Sequence, residues 1–321
     1  MPVHATEALA DKPYVRVSLH LRTAPSRRQV LRSFRAAAVA APVPLLGGPD
    51  PDAPPVRIAV SESAIHGVNR NDAAAAISVW AQEMARTVDL KLAPQQSWLQ
   101  PSTQILAGVR SGALDVVLLT VPEYRRAQEY LDARQVVAGG GAELWIAVRD
   151  GGGITRIADL ENRSLLVLDS TFTVLADAWL AVSLARAGLG HPSKVLARLS
   201  RHPRPNQAIL PVFFGQADAC LATRRTFETM FELNPQLSRK LKTLHASPKM
   251  ISAFLICRKG YPEHWRTPML EKFNRAKDSE SAKQVLTLFQ AFRFTTIPGD
   301  ALRPSLDLLD AADRLPAAGQ P

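Results

Sequence analysis

Apolar positions along this chain fall into two alternating kinds of run. Short continuous stretches, Val56–Val60, Val88–Leu92, Asp115–Leu119, Glu143–Val148, Leu165–Leu168, Val195–Leu199, Ala217–Leu221 and Met250–Cys257, predict buried strands. Between them, residues spaced three and four apart predict helices. Asp72–Arg86 is one, with Asp72 as N-cap and Ala76, Ile77, Trp80 and Met84 on one face. Others follow at Ser102–Arg110, Val174–Gly188, Asn206–Phe214, Arg224–Leu233, Pro262–Arg275, Ser281–Phe292 and Asp300–Ala312. Strand and helix in alternation at this spacing predict βαβ units and largely parallel sheets. No stretch repeats at a fixed period.

The stretch around which the chain is organised is Leu165–Thr173, running into the helix expected at Val174–Gly188. An apolar strand, then Asp169-Ser170-Thr171-Phe172-Thr173, then a helix N-terminus would assemble an anion site from unpaired N–H groups and hydroxyls. The plainer alternative is that Asp169, Ser170 or Thr171 only caps the helix. In open α/β sheets, ligands bind beyond the carboxyl ends of strands. Polar residues there are Ser61, Glu62 and Ser63; Thr120 and Tyr124; Ser170, Thr171 and Thr173; Ser200, Arg201 and His202; and Thr223. Five such ends point to a small-anion site in a cleft between two α/β units.

Length and charge narrow the picture. The chain has 321 residues, more than one typical core holds, so two domains are expected. A net charge of +10 raises nucleic acid or a membrane surface as partners. Many of the basic residues (Arg16, Arg22, Arg27, Arg28, Arg32 and Arg35) precede any predicted fold, and the rest are scattered without interleaved aromatics. That argues against nucleic acid. Arg27-Arg28 followed by the weakly apolar Ala36–Leu46 is similar to a twin-arginine export signal, and Gly47–Pro55 reads as a linker. A basic tail on a cytoplasmic protein is the other reading. The run is too short for a good membrane span. Cys220 and Cys257 are the only cysteines and sit in different predicted domains, so two buried free thiols are expected rather than a disulfide.

Enzyme signatures are missing. No G-x-S-x-G elbow, P-loop Lys-Ser/Thr, paired carboxylates or metal-ligand spacing occurs. No catalytic residue, cofactor or metal is expected. Gly139-Gly140-Gly141 and Gly151-Gly152-Gly153 read as flexible loops.

In order and spacing, these motifs resemble the phosphate/phosphite/phosphonate-binding family of ABC transporter substrate-binding proteins. The matching segments are Ile58–Ser61, Asp72–Trp80, Ile105–Val117, Leu119–Tyr124, Ile154–Arg163, Asp169–Thr173 and Pro211–Cys220. The resemblance spans residues 56–312. It implies an α/β, two-lobed type 2 periplasmic-binding-protein fold whose chain crosses between lobes twice, expected near Arg149–Gly153 and Ser247–Met250. Residues 1–55 would then be a disordered leader and linker, 56–149 plus 250–312 the first lobe, 150–249 the second, and 313–321 a tail. It also implies an exported, periplasmic, monomeric protein that binds a small oxyanion and delivers it to an ABC permease. The same fold could instead serve a membrane sensor, or hold an organic ligand such as a sulfonate. Ser170, Thr171 and Thr173 would hold the oxygens; Ser61, Thr120 and Tyr124 would close from the other lobe. His202 would make a proton-dependent contact. Phe172 departs from the family's small-residue turn and occupies space near the ligand.

Overall fold

The computed structural model describes residues 55–65, 69–87, 91–94, 97–276 and 295–316. The strands form two separate sheets. The first has six strands: β1 (Ile58–Ser61), β2 (Leu99–Gln100), β3 (Val116–Thr120), β4 (Leu131–Ala138), β10 (Ala253–Arg258) and β11 (Thr295–Pro298), in the order β11-β4-β10-β3-β1-β2. The second has five: β5 (Leu144–Arg149), β6 (Ser164–Leu168), β7 (Arg198–His202), β8 (Ala219–Thr223) and β9 (Leu241–Ala246), in the order β7-β6-β8-β5-β9.

The two-lobed α/β architecture is as expected, but both sheets are mixed rather than largely parallel. Strands β1, β2 and β3 run parallel, as do β6, β7 and β8. Beside each parallel set lies an antiparallel strand next to a lobe crossing: β10 against β3 and β4, and β5 against β8 and β9. A strand that enters a lobe from the other one arrives at the cleft end, so it runs against the strands that end there. This moves the first crossing. Strand β5 belongs to the second sheet, so the chain changes lobes at 139–143 and not at 149–153. The return lies between β9 and β10, at 247–252.

The central strands β1, β3, β5, β6, β8 and β10 are buried on two faces, which is why they read as continuous apolar runs. In the first lobe Val60, Val116, Leu118, Val137 and Leu255 pack on one face, and Ala59, Val117, Leu119, Val136 and Phe254 on the other. In the second, Leu144, Ile146, Leu165, Val167 and Leu221 alternate in the same way with Ala147, Leu166, Leu168, Cys220 and Ala222. Cys220 and Cys257 are free thiols in different sheets, and burial pushes both pKa values up, that of Cys257 to about 12.

Helices α1 (Arg70–Thr87), α2 (Ser102–Arg110) and α3 (Val121–Ala127) belong to the first lobe. The side chain of Asn69, not Asp72, caps α1, accepting from the N–H groups of Asn71 and Asp72 at 2.9 and 3.4 Å. The second lobe carries α4 (Ala176–Arg186), α5 (Pro192–Val195), α6 (Pro205–Phe213), α7 (Arg224–Leu233) and α8 (Pro235–Lys240). Helix α4 ends as predicted at Gly188, whose φ of +79° lets Leu189 N–H reach the Leu184 carbonyl at 2.9 Å. Helices α9 (Glu263–Ala276) and α10 (Arg303–Asp313) close the described chain. The strand expected at 88–92 and the helix expected at 281–292 fall wholly or partly outside the described residues, as does the twin-arginine-like segment.

Helix α10 does not stay in the first lobe. It packs against α4 of the second lobe and α3 of the first, with Leu308 against the core of one, Leu306 against the core of the other and Leu309 touching both. Arg125 of α3 holds it through Asp310 and Asp313 at 3.0 and 2.6 Å.

At the amino ends of β1 and β3, Asp115 accepts from Arg57 N, Nε and Nη2 at 3.0, 2.8 and 2.8 Å and from Arg258 Nε at 2.8 Å. Burial alone would raise the pKa of Asp115, yet these bonds outweigh it and hold the carboxyl below its ordinary value.

Candidate functional site

The carboxyl ends of β1, β3, β6, β7 and β8 carry the polar residues singled out in the sequence. Most of those side chains are already committed to partners within the protein. Glu123, in the first turn of α3, is buried and accepts from Ser61 Oγ at 2.5 Å and from Thr120 N and Oγ1 at 2.8 Å each. Ser61 and Thr120 therefore brace a buried carboxylate. Tyr124 lies in the first lobe's core, edge-on to Phe254 with ring centroids 5.3 Å apart, and burial pushes its phenol pKa up.

Across the cleft, the 170–173 segment is a 3-10 turn (Thr171–Thr173), and α4 begins only at Ala176. The hydroxyls thus sit one turn ahead of the α-helix rather than at its N-terminus. Thr173 closes the turn: its Oγ1 accepts from Ser170 N at 3.0 Å and donates to the Leu168 carbonyl at 2.6 Å. Thr171 Oγ1 reaches the other lobe and donates to the Ala64 carbonyl at 2.7 Å. Nearby, Ser252 Oγ donates to the Phe172 carbonyl at 3.3 Å. His202 is inside the edge strand β7 rather than beyond it, its Nε2 3.1 Å from Ser200 Oγ. Arg201 is neutralised by Asp169 and Asp177 at 3.3 and 2.6 Å.

Of the expected ligand-binding side chains, Ser170 is the one that lines a cavity of about 550 Å³ among the described residues. Its walls come from four places. The turn gives Ser170 and Phe172; Thr223 and α7 give Thr223–Thr226, Glu228–Met230 and Leu233; the lobe crossings give Gly139–Glu143 and Lys249; and α6 gives Pro205. Thr223 caps α7, accepting from Thr226 N at 3.1 Å. Arg224 spans Glu228 at 2.8 Å and Glu143 at 3.5 Å, with its guanidinium carbon 5.5 Å from the Trp145 ring centre. Arg224, Arg225 and Lys249 face two carboxylates, Glu143 and Glu228, so the lining carries a net positive charge.

The two crossing segments are laced together beside the cavity. Ala142 and Met250 exchange N–H···O bonds of 2.8 and 2.9 Å, and a Cβ on Gly141 would come within 2.9 Å of Lys249 Cγ. Only glycine lets the crossings approach this closely. The Gly139–Gly141 segment, expected to be a flexible loop, is therefore part of the cavity wall. Among the described residues no cluster of His, Cys, Asp or Glu could hold a metal ion.

A family model described as "ABC transporter, phosphonate, periplasmic substrate-binding protein" matches residues 69–301. The chain belongs to this family. No curated protein matches it. Solved structures similar to this family member include a binding protein component of an ABC phosphonate transporter from Pseudomonas aeruginosa, 16% identical, covering 81% of this chain and 87% of its own, with a TM-score of 0.53. PhnD1 of Prochlorococcus marinus in complex with methylphosphonate is 13% identical, covering 81% and 99%, at a TM-score of 0.55. A Xanthomonas citri protein bound to ATP is 14% identical, covering 81% and 97%, at 0.58. At these identities the structures share the fold with this phosphonate-binding family member.

Arg224, Arg225 and Lys249 escaped the sequence reading. One signal was present: Thr223 ends a strand, and the two residues after it open a helix with paired cations. Lys249 had none, because its place beside Gly141 depends on both crossings meeting.

Proposed function

We propose that the chain captures a small phosphorus oxyanion (phosphate, phosphite or an organophosphonate) in the cavity beside the 170–173 turn and delivers it to an ABC permease without catalysing a reaction. The observation that carries this reading is the net positive lining of one cavity at the lobe crossings, where Arg225, Lys249 and Ser170 meet Arg224 and its two carboxylates, Glu143 and Glu228. Charge-assisted bonds of this kind are roughly twice as strong as neutral ones. Family membership supports a periplasmic site of action and a permease as partner. A ligand here would touch Ser170 and Phe172, next to the turn's contact with the first lobe, and so could bias closure of the lobes.

The test is a thermal-shift and calorimetric titration of the full chain with methylphosphonate, phosphate, phosphite and, as control, sulfate. A ligand that binds only the folded state at a hundredfold excess over its Kd adds about 2.7 kcal/mol of stability. Binding of a phosphorus oxyanion, weakened about tenfold or more in Lys249→Met, is the expected result. No response to any phosphorus oxyanion would overturn the proposal.

A further inference from the structure

The cavity is larger and more lopsided than a small oxyanion requires. At about 30 Å³ per water-sized group, methylphosphonate fills only a minor part of roughly 550 Å³. That volume lies in the range of about 300–1,000 Å³ found for organic ligands. Its polarity also changes along α7. Thr226, Met230 and Leu233 all line it. Their spacings of four and three place them on one face of the helix.

The amino end of this stripe, with Thr223 and Thr226, is where Arg224 and Arg225 cluster. Its carboxyl end is Met230 and Leu233, about 10 Å further on at 1.5 Å per residue. Phe172 and Pro205 add apolar wall. Leu233 is 76% exposed, although a large apolar side chain gains nothing from facing water. Among the described residues Leu233 belongs to none of the hydrophobic core clusters, and a ligand lying along the stripe would cover it.

We infer that the ligand is an amphiphilic organophosphorus anion. Its oxyanion head lies at the start of α7, and its apolar substituent, several carbons long, runs along Met230 and Leu233. The inference rests on the oxyanion reading of this cavity and specifies the substrate class. The substituent displaces water from Phe172, Met230 and Leu233, while the cations at the amino end fix the direction in which the molecule lies.

The experiment is calorimetric titration of the full chain with methylphosphonate and n-hexylphosphonate. Each fully buried methylene is worth about fourfold in affinity, so even partial burial makes hexylphosphonate at least about tenfold tighter. In Leu233→Ser, which alters an exposed side chain and leaves the fold unburdened, the ratio of the two affinities should narrow. Equal affinities in the native chain, or a ratio untouched by both Leu233→Ser and Met230→Ser, would overturn the inference while leaving oxyanion binding standing. If neither phosphonate binds, the oxyanion reading fails and takes this one with it.

Discussion

Thr171 of the second lobe donates its hydroxyl to the carbonyl of Ala64 in the first, at 2.7 Å. The residue expected to hold a ligand oxygen is instead a latch between the lobes. A hydrogen bond of this kind contributes about 1 kcal/mol net, or about fivefold in a two-state ratio. Thr171→Val should shift the ligand-free chain toward more open conformations by about that factor. Small-angle scattering or a donor–acceptor pair across the lobes would read it. An unchanged distance distribution would show that the latch does not bias closure.

Glu123 supports the opposite lip of the cleft. Removing its carboxylate in Glu123→Ala leaves the donors of Ser61 and Thr120 buried without an acceptor, which costs about 1–3 kcal/mol for each unsatisfied group. Glu123→Gln should cost much less. Its oxygen can accept from Thr120, and its amide can donate to the Ser61 hydroxyl, which is able to turn and accept. Urea denaturation of the two variants should separate them clearly.

Ser305 fixes the return crossing to the C-terminal helix. Its Oγ accepts from Ile251 N at 2.9 Å and donates to the Ile251 carbonyl at 2.8 Å, with the serine fully buried. Ser305→Ala should destabilise the fold by about 2 kcal/mol, because both backbone groups of Ile251 lose their partner away from water. The same denaturation measurement checks it. A loss below the error of the method would mean that water or a backbone shift replaces the hydroxyl.

Asp115 gives a pH dependence of known sign. Its folded pKa lies below the ordinary 3.8 because the bonds from Arg57 and Arg258 outweigh the opposing effect of burial. A depressed carboxylate stabilises the fold fully above its unfolded pKa, and that contribution is lost as pH falls through the folded one. Asp115→Asn should therefore be less stable than the native chain at neutral pH, and the gap should narrow as pH drops below about 3.8. A gap constant with pH would assign the effect to packing.

Much of the fold was legible because it depends on local periodicity. Helix α7 falls on the expected residues Arg224–Leu233, and β3 and β6 lie within a residue of their predicted limits. Strands β2, β4, β9 and β11 lie where the apolar pattern predicts none. In β4, Asp132, Arg134 and Gln135 interrupt the apolar pattern, and the segment is a strand because β10 and β11 pair with both its edges. Strand β7 begins three residues later than predicted because Pro192–Val195 is taken up as a helical turn.

The candidate site was less legible than the fold. Sequence alone determined which residue types gather at the strand ends, since strand, turn and helix follow from spacing along the chain. It could not determine what each hydroxyl would bond. Ser61 and Thr120 face Glu123, Thr171 faces Ala64, and Thr173 closes its own turn; Ser170, its Oγ 3.3 Å from Thr173 Oγ1, also lines the cavity that Arg224, Arg225 and Lys249 border. A polar group bonds to whatever acceptor the packing brings within about 3 Å. For most of these residues that acceptor comes from another strand, helix or lobe, so only the tertiary structure decides which polar side chains border the cavity.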